Sequence, residues 1–169
     1  MFSCSCLWRC LCGEPDPGPV RLKDVQHVVL DTNRMGVDTV IVKSGRRICG
    51  TGGALANAPL VQNKSYFEMK VQSGGVWGVG VACPGVQLDA APLGTTSQSW
   101  VLHCNGKVYH NSEVQTTARD TPQEGDIVSC SYDHVELNFF LNGKSLDCPV
   151  TGIRGTVYPV FYGKQAASR

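Results

Sequence analysis

The amino-acid sequence predicts an all-β protein, an antiparallel β-sandwich, from three observations. Apolar and polar residues alternate with a period of two in several segments, the pattern of strands that bury one face. Turn-forming residues separate these segments, and the chain holds 19 Gly and 9 Pro. No segment shows the 3.6-residue period of an amphipathic helix. Together these features predict short strands joined by tight turns.

The best-defined element lies in residues 124–143, EGDIVSCSYDHVELNFFLNG, which predict two strands with a turn after each. Asp133-His134 supplies the polar break between the strands. Asn142-Gly143 ends the second strand, because this dipeptide tolerates the positive φ values of a type I′ turn. Each strand has one apolar face, formed by Val128, Cys130 and Tyr132 in the first and by Val135, Leu137, Phe139 and Leu141 in the second.

The preceding segments predict the remaining strands in chain order. Short strands are expected at residues 28–31 and 39–43, separated by residues 32–38. Residues 47–53 are expected to end in a glycine-rich bend, GTGG, which lacks the Lys-Ser/Thr of a phosphate-binding loop. A strand pair follows at residues 65–81, where Gly78 and Gly80 predict close approach by another backbone or by a ring.

Length and charge restrict the class of protein. A chain of 169 residues with 42% apolar and 17% charged residues fits one soluble globular domain. The net charge of +1 gives no global field that would attract nucleic acid or an anionic membrane. The basic cluster of Lys43, Arg46 and Arg47 flanks a Ser-Gly turn, so a solvated hairpin tip is predicted there. No apolar run reaches the ~20 residues of a transmembrane helix.

Four segments resemble, in order, the SPRY domain family, a β-sandwich that binds other proteins. They are SYFEMKVQSGGVWGVGV at residues 65–81, SWVLHCNGKVYH at 99–110, the paired strands at 124–143, and GTVYPVFY at 155–162. The resemblance covers residues 22–162 and implies an SPRY-type antiparallel β-sandwich. It implies a protein or peptide ligand bound by loops, with no cofactor and no small-molecule substrate.

The C-terminal end departs from this family pattern. SPRY domains continue into a further strand, whereas this chain ends in the polar residues KQAASR after Gly163. We therefore expect a C-terminally truncated domain that lacks its closing strand. A missing strand would leave backbone groups of its neighbour exposed along an edge.

The cysteines divide the chain into two parts. Cys4, Cys6, Cys10 and Cys12 crowd the N-terminus, whereas the other five are scattered singly. The odd total of 9 and the lack of a secretory signal predict a reducing, cytoplasmic location. The Pro-rich stretch before position 20 predicts a boundary. Residues 1–19 are then a flexible Cys-rich and Pro-rich tail, and residues 20–169 are a single domain.

Three interpretations of the N-terminal cysteines are open. S-acylation of Cys4, Cys6, Cys10 and Cys12 is favoured first, since apolar residues and Arg9 surround them as at a membrane interface. It would give peripheral membrane association. An unmodified flexible tail comes second. A metal site comes last, because the spacing C-x-C-x3-C-x-C lacks the paired knuckles of zinc sites.

A binding module is favoured over two other classes of function. A cysteine-dependent enzyme is disfavoured, because most cysteines lie in alternating strands rather than at a strained turn or helix N-terminus that would lower a thiol pKa. His110 is expected to have a structural hydrogen-bonding role, and Asp133 to cap its turn. The remaining alternative is a structural or degraded SPRY form without a partner.

Candidate binding residues follow from loop chemistry, since loops on a rigid sandwich are where recognition usually lies. Trp100 is an attractive aromatic anchor, but core packing is the favoured interpretation because it lies in the Ser-Trp strand. The candidates fall in three groups. They are Asn33, Arg34, Arg46 and Arg47; Thr95 and Gln98, which belong to a polar loop at 93–98; and His103, Asn105 and Lys107, which lie around the turn Cys104-Asn105-Gly106.

Overall fold

A computed structural model describes the backbone of residues 2–5 together with residues 27–89 and 92–164. These residues contain strands and turns and no helix, which confirms the all-β prediction. The strands are β1 (Phe2–Ser5), β2 (Leu30–Met35), β3 (Thr39–Val42), β4 (Arg47–Ala56), β5 (Ser65–Val71), β6 (Val76–Ala82), β7 (Ser99–His103), β8 (Lys107–His110), β9 (Glu113–Thr117), β10 (Ile127–Tyr132), β11 (Glu136–Leu141), β12 (Lys144–Ser145), β13 (Val150–Thr151) and β14 (Tyr158–Lys164).

The strands form two antiparallel sheets that share β4. The first sheet has the order β12-β11-β10-β5-β1-β4, with β13 paired to β11 and β3 paired to β4. The second has the order β4-β14-β6-β7-β8-β9, with β2 paired to β4. No described helix is long and apolar enough to cross a membrane.

Glycines let β4 pass from one sheet to the other. β3 pairs with residues 47–50 and β14 with residues 51–55. Gly50 and Gly52, on either side of the point where these ranges meet, have φ values of 86° and 130°, a region that favours glycine. A Cβ at Gly50 would lie 2.2 Å from the Asp38 carbonyl oxygen. The expected GTGG bend is therefore wrong, because these glycines lie inside a continuous strand.

The turns at residues 133–134 and 142–143 match the prediction. The Asp133 carboxylate accepts hydrogen bonds from the backbone N–H groups of Val135 at 3.0 Å and Glu136 at 2.8 Å. It caps the turn, as expected. Asn142 and Gly143 have φ values of 49° and 82°, as a type I′ turn requires.

The main core lies between the two sheets. Phe67 of β5 meets Phe161 of β14 edge to face, with ring centroids 5.9 Å apart. Cys130 is fully buried and Trp100 belongs to the same core, so both core predictions are confirmed. Trp100 stacks on His110, whose Nδ1 lies 3.0 Å from the Ser99 carbonyl oxygen, in agreement with a structural role for that histidine.

A smaller core covers the outer face of the second sheet. Leu55, Val101, Val160 and Tyr162 project from the strands and pack against Leu93 of the segment between β6 and β7. Gly78 provides room, because a Cβ there would lie 2.1 Å from a Tyr162 ring atom. Likewise, a Cβ at Gly80 would lie 2.0 Å from the Trp100 carbonyl oxygen. The close approach predicted for both glycines is confirmed.

Several boundaries differ from the predictions. The strand expected at residues 28–31 begins at Leu30 and runs on to Met35, through part of the expected connection. Phe2–Ser5, expected in a flexible tail, pair with both β4 and β5. β14 is paired on both edges, so it is not the exposed edge expected near the C-terminus. Residues 6–19 of the expected tail and residues 165–169 lie outside the described part.

Candidate functional site

The segment between β6 and β7 lies over the second sheet and is fastened at several points. The Leu88 carbonyl accepts a hydrogen bond from Gly53 N–H at 2.8 Å, and the Asp89 carboxylate accepts one from Val37 N–H at 2.6 Å. Cys83 N–H donates to the Gln98 carbonyl at 2.8 Å, which closes the segment at its base. These bonds hold an irregular segment in a defined position.

Arg34 and Tyr158 lie beside this segment. The Arg34 guanidinium carbon is 4.2 Å from the centroid of the Tyr158 ring, a cation–π contact. Arg34 Nε also donates to the Asp31 carboxylate at 2.8 Å, and Nη2 donates to the Ala56 carbonyl at 3.1 Å. Both Arg34 and Tyr158 are half-buried. We call residues 83–89 and 92–98, together with Arg34 and Tyr158, the loop surface.

Asp31 orients this arginine and is itself stabilised as an anion. Its carboxylate accepts a hydrogen bond from the backbone N–H of Asn33 at 2.9 Å in addition to the bond from Arg34. The Asn33 amide first, and then the Arg34 guanidinium, lower the pKa of Asp31 below its ordinary value. The charge pair therefore persists through the neutral pH range.

The turn between β7 and β8 carries two of the candidates, Asn105 and Lys107. Asn105 is exposed; its Oδ1 accepts from Lys107 N–H at 3.0 Å, and its Nδ2 donates to the Tyr109 hydroxyl at 3.1 Å. Thr95 is exposed and its carbonyl accepts a hydrogen bond from Ser112 Oγ at 2.9 Å. Asn105, Lys107 and Thr95 are thus accessible, as their candidacy requires.

His103 is a correction to the candidate list, because it is buried at the end of β7. Its Nε2 lies 2.7 Å from the Leu93 carbonyl oxygen, which can only accept, so Nε2 carries the proton. The imidazole also packs against Tyr109, with centroids 4.3 Å apart. Burial lowers the pKa of His103 below its ordinary value, although the hydrogen bond to Leu93 opposes this. The residue fastens the loop surface and does not form part of it.

Arg46 and Arg47 lie away from the loop surface, in the first sheet. Arg46 is exposed next to the turn between β3 and β4. Arg47 is half-buried in β4, where Nη2 donates to the Gln72 side chain and Nε has no partner among the described residues. Arg47 is therefore not part of a solvated tip. Among the candidate residues, Arg34, Thr95 and Gln98 belong to the loop surface, Asn105 and Lys107 lie at the turn between β7 and β8, and Arg46 and Arg47 lie in the first sheet.

Two of the described thiols, those of Cys130 and Cys148, lack the features of catalytic nucleophiles. Burial raises the pKa of Cys130 well above its ordinary value and that of Cys148 to about 11. These two groups stay protonated at neutral pH, opposite to what an attacking thiolate needs. The described residues hold no group of three or more His, Cys, Asp or Glu side chains that could bind a metal. Cys4 lies in β1, and Cys6, Cys10 and Cys12 lie outside the described residues.

Comparisons with known proteins agree with this fold. The SPRY domain family matches residues 64–168. SPRY domain-containing protein 7 of mouse is 56% identical over 164 residues, covering 95% of this chain and 84% of the mouse protein. The human protein of the same name is also 56% identical over 164 residues, covering 96% of this chain and 83% of its own length.

Solved structures show the same fold at low sequence identity. The SPRY domain of human HERC1 aligns with a TM-score of 0.67 and 18% identity, covering 80% of this chain and 91% of that one. The TRIM65 PSpry domain aligns with a TM-score of 0.64 and 14% identity, covering 81% of this chain and 86% of that one. The sandwich, the family match and the close relatives lead to one conclusion: this chain belongs to the SPRY domain family.

Proposed function

We propose that the protein is a non-catalytic interaction module whose loop surface binds a peptide or loop of a partner protein. SPRY domains generally mediate protein–protein interactions, which supports the class of function. The choice of the loop surface as the binding site rests on the contact between Arg34 and Tyr158. Arginine and tyrosine are enriched among residues that dominate binding energy, and both side chains here are held in place before a partner arrives.

Each contact of Arg34 removes part of the entropy cost of binding. Asp31 fixes the guanidinium from one side, the Ala56 carbonyl fixes it at Nη2, and the Tyr158 ring lies against it. A partner that stacks on either group does not need to order a long flexible side chain. The fastened segment beside them supplies exposed polar groups, including Gln87 and Thr95, for hydrogen bonds at the rim.

The test uses quantitative affinity capture with conservative variants. Arg34→Lys keeps the positive charge but loses the planar, multiply bonded guanidinium, so partner recovery should fall about tenfold. Tyr158→Ala should have a similar effect, whereas Tyr158→Phe keeps the ring and should retain recovery. Lys144→Ala in β12 is the control at an exposed position on the other sheet.

Two results would count against the loop surface. Equal recovery by wild type and Arg34→Lys, with both folded, would place the binding site elsewhere. If neither the wild type nor Lys144→Ala recovers a partner, the alternative of a structural SPRY form with no partner is favoured.

We further propose a cytoplasmic location. Five cysteines, Cys49, Cys83, Cys104, Cys130 and Cys148, are free thiols, and unpaired cysteines are typical of a reducing compartment. Alkylation of protein unfolded without reductant should label each of these five. Disulfide-linked species in protein taken directly from cells would contradict this location.

A further inference from the structure

The chain contains two Asn-Gly pairs, and each lies in a turn between two strands. Asn105-Gly106 joins β7 to β8, and Asn142-Gly143 joins β11 to β12. An asparagine followed by glycine is prone to deamidation, because glycine has no side chain to hinder attack of its backbone nitrogen on the preceding side-chain amide. The attack needs a nitrogen that is free of other bonds and space for the ring that forms. The two pairs differ in both respects.

The nitrogen of Gly106 is engaged in the fold. Its N–H donates to the His103 carbonyl at 2.9 Å, and Gly106 is buried. A Cβ at this position would lie 3.2 Å from Thr121 Oγ1, so the surroundings are tight. The hydrogen bond to His103 has to break before the Gly106 nitrogen can react. The fold therefore protects the Asn105-Gly106 pair.

The nitrogen of Gly143 is open to solvent. Both Asn142 and Gly143 are exposed, and the Gly143 N–H has no hydrogen-bond partner among the described residues. A Cβ added to Gly143 would have no atom within 4 Å. A ring can therefore form at this turn without a clash.

The amide of Asn142 is polarised at both of its polar atoms. Its Oδ1 accepts a hydrogen bond from Ile127 N–H at 2.9 Å, a fixed donor that would stabilise negative charge developing on this oxygen. Its Nδ2, the leaving group, donates to Asp126 Oδ1 at 2.9 Å. The hydrogen bond from Asn142 and then that from Gln123 N–H lower the pKa of Asp126 below its ordinary value, so its carboxylate is an anion at neutral pH.

We propose that Asn142 is a modification site of this protein, where the side-chain amide is converted to a carboxylate by deamidation. The Gly143 nitrogen gives its proton to solvent and forms a bond to Asn142 Cγ. The bond between Cγ and Nδ2 then breaks, and the amide nitrogen takes up a proton and leaves as ammonia. The resulting succinimide ring adds one water molecule and opens to aspartate or isoaspartate at position 142.

The modification would change how this turn is held. In the aspartate product a carboxylate replaces the amide that donates to Asp126, so two like charges face each other where a hydrogen bond had been. In the isoaspartate product the main chain of the turn gains one carbon atom. Either product should weaken the short pairing of β11 with β12, which begins at Leu141 and Lys144 beside the turn.

Incubation of the full chain in water enriched in heavy oxygen tests the site. Each ring opening incorporates one oxygen atom from water, and mass spectrometry of proteolytic peptides locates it. In mildly alkaline buffer the peptide with Asn142 should be labelled about tenfold faster than that with Asn105, the effect of breaking roughly one net hydrogen bond at Gly106. In urea, where the fold no longer distinguishes the two pairs, both should be labelled at similar rates.

Two results would overturn the proposal. The first is equal or faster labelling of the Asn105 peptide in the folded protein. The second is a folded protein without label at Asn142 while the protein in urea is labelled there.

Variants measure what the modification does to the fold. Asn142→Asp should lower the melting temperature at neutral pH, and the loss should be smaller when Asp126→Asn is also present, because the facing charge is then removed. Equal losses in the two backgrounds would contradict the expected repulsion between positions 126 and 142.

Discussion

Gly78 has no side chain because the Tyr162 ring occupies the space beside it. A Cβ at this position would lie 2.1 Å from one Tyr162 ring atom and 2.7 Å from Val101 Cγ1. Both neighbours are fully buried and belong to the smaller core, so neither can move into solvent. Gly78→Ala should therefore lower the free energy of unfolding by about 3 kcal/mol, as overpacking of a rigid core does.

The matched control is Gly74→Ala. Gly74 has only a Glu124 carboxylate oxygen near the added methyl, at 3.8 Å, so its unfolding free energy should change by less than about 0.5 kcal/mol. Urea unfolding followed by tryptophan fluorescence measures both. Similar values for the two variants would show that the Tyr162 ring is displaced at little cost.

His103 predicts a pH dependence of stability. Its pKa in the folded protein lies below the value in the unfolded chain, because burial disfavours the charged ring. The unfolded state therefore binds more protons in the interval between the two pKa values. Stability should be fully present above the unfolded value near 6.5 and should fall as pH drops from there towards the folded value.

Comparison with His103→Gln isolates this contribution. Glutamine can still donate to the Leu93 carbonyl but does not titrate, so the variant should lack the loss of stability just below pH 6.5. Thermal melts across that range measure the difference. Parallel pH profiles for the two proteins would mean that protonated His103 is tolerated in the fold.

At the residue scale, the sequence predicts which positions share a face but not what covers that face. The alternation of residues 76–81 was enough to predict close approach at Gly78 and Gly80. It did not identify Tyr162 as the approaching ring, because the two strands are far apart in the chain. His103 shows the same limit, since its burial depends on Leu93 lying over it.

At the element scale, β1 is a strand of four residues that pairs on both edges. Ser3→Pro removes a backbone donor from its ladder and should weaken the pairing of β1 with β4 and β5. Amides of β5 that face β1 should then exchange with solvent about tenfold faster, the effect of losing roughly one net hydrogen bond.

Hydrogen exchange measured residue by residue checks this expectation. Amides of β10, which pairs with the opposite edge of β5, should keep their protection, and Ser3→Thr should behave as wild type. Unchanged exchange along residues 68–71 in the proline variant would mean that β1 contributes little to the sheet.

Two strands show why element boundaries were harder to predict than element type. The letters Phe-Ser-Cys-Ser alternate like a strand, but the dense cysteines and the following prolines favoured a tail. In β4, four residues rich in glycine resembled a bend. The positive φ values of Gly50 and Gly52 instead serve a strand that changes partners, from the neighbouring strand β3 to the strand β14, which is distant in the chain.

On the scale of the whole molecule, the sandwich was predictable because alternation and turn chemistry are local. The loop surface was not, because it depends on a segment that folds back over the second sheet. One local signal was available: the strand YPVFYG is apolar at nearly every position, which indicates burial on both faces. A sheet covered on both faces needs a layer outside it, and here residues 83–89 and 92–98 provide part of that layer.

The last prediction concerns how the whole molecule meets a membrane. We propose that Cys4, Cys6, Cys10 and Cys12 are S-acylated and hold the protein at a membrane. Stable anchoring by lipid requires at least two attached chains, so this association requires acylation of two or more of the four cysteines. Replacing all four with Ser should move the protein from the membrane fraction to the soluble one and abolish hydroxylamine-sensitive labelling.

The Cys4→Ser variant is the control for this experiment. It should keep both membrane association and labelling, because three other acceptors remain. A wild-type protein that is wholly soluble and unlabelled would exclude acylation.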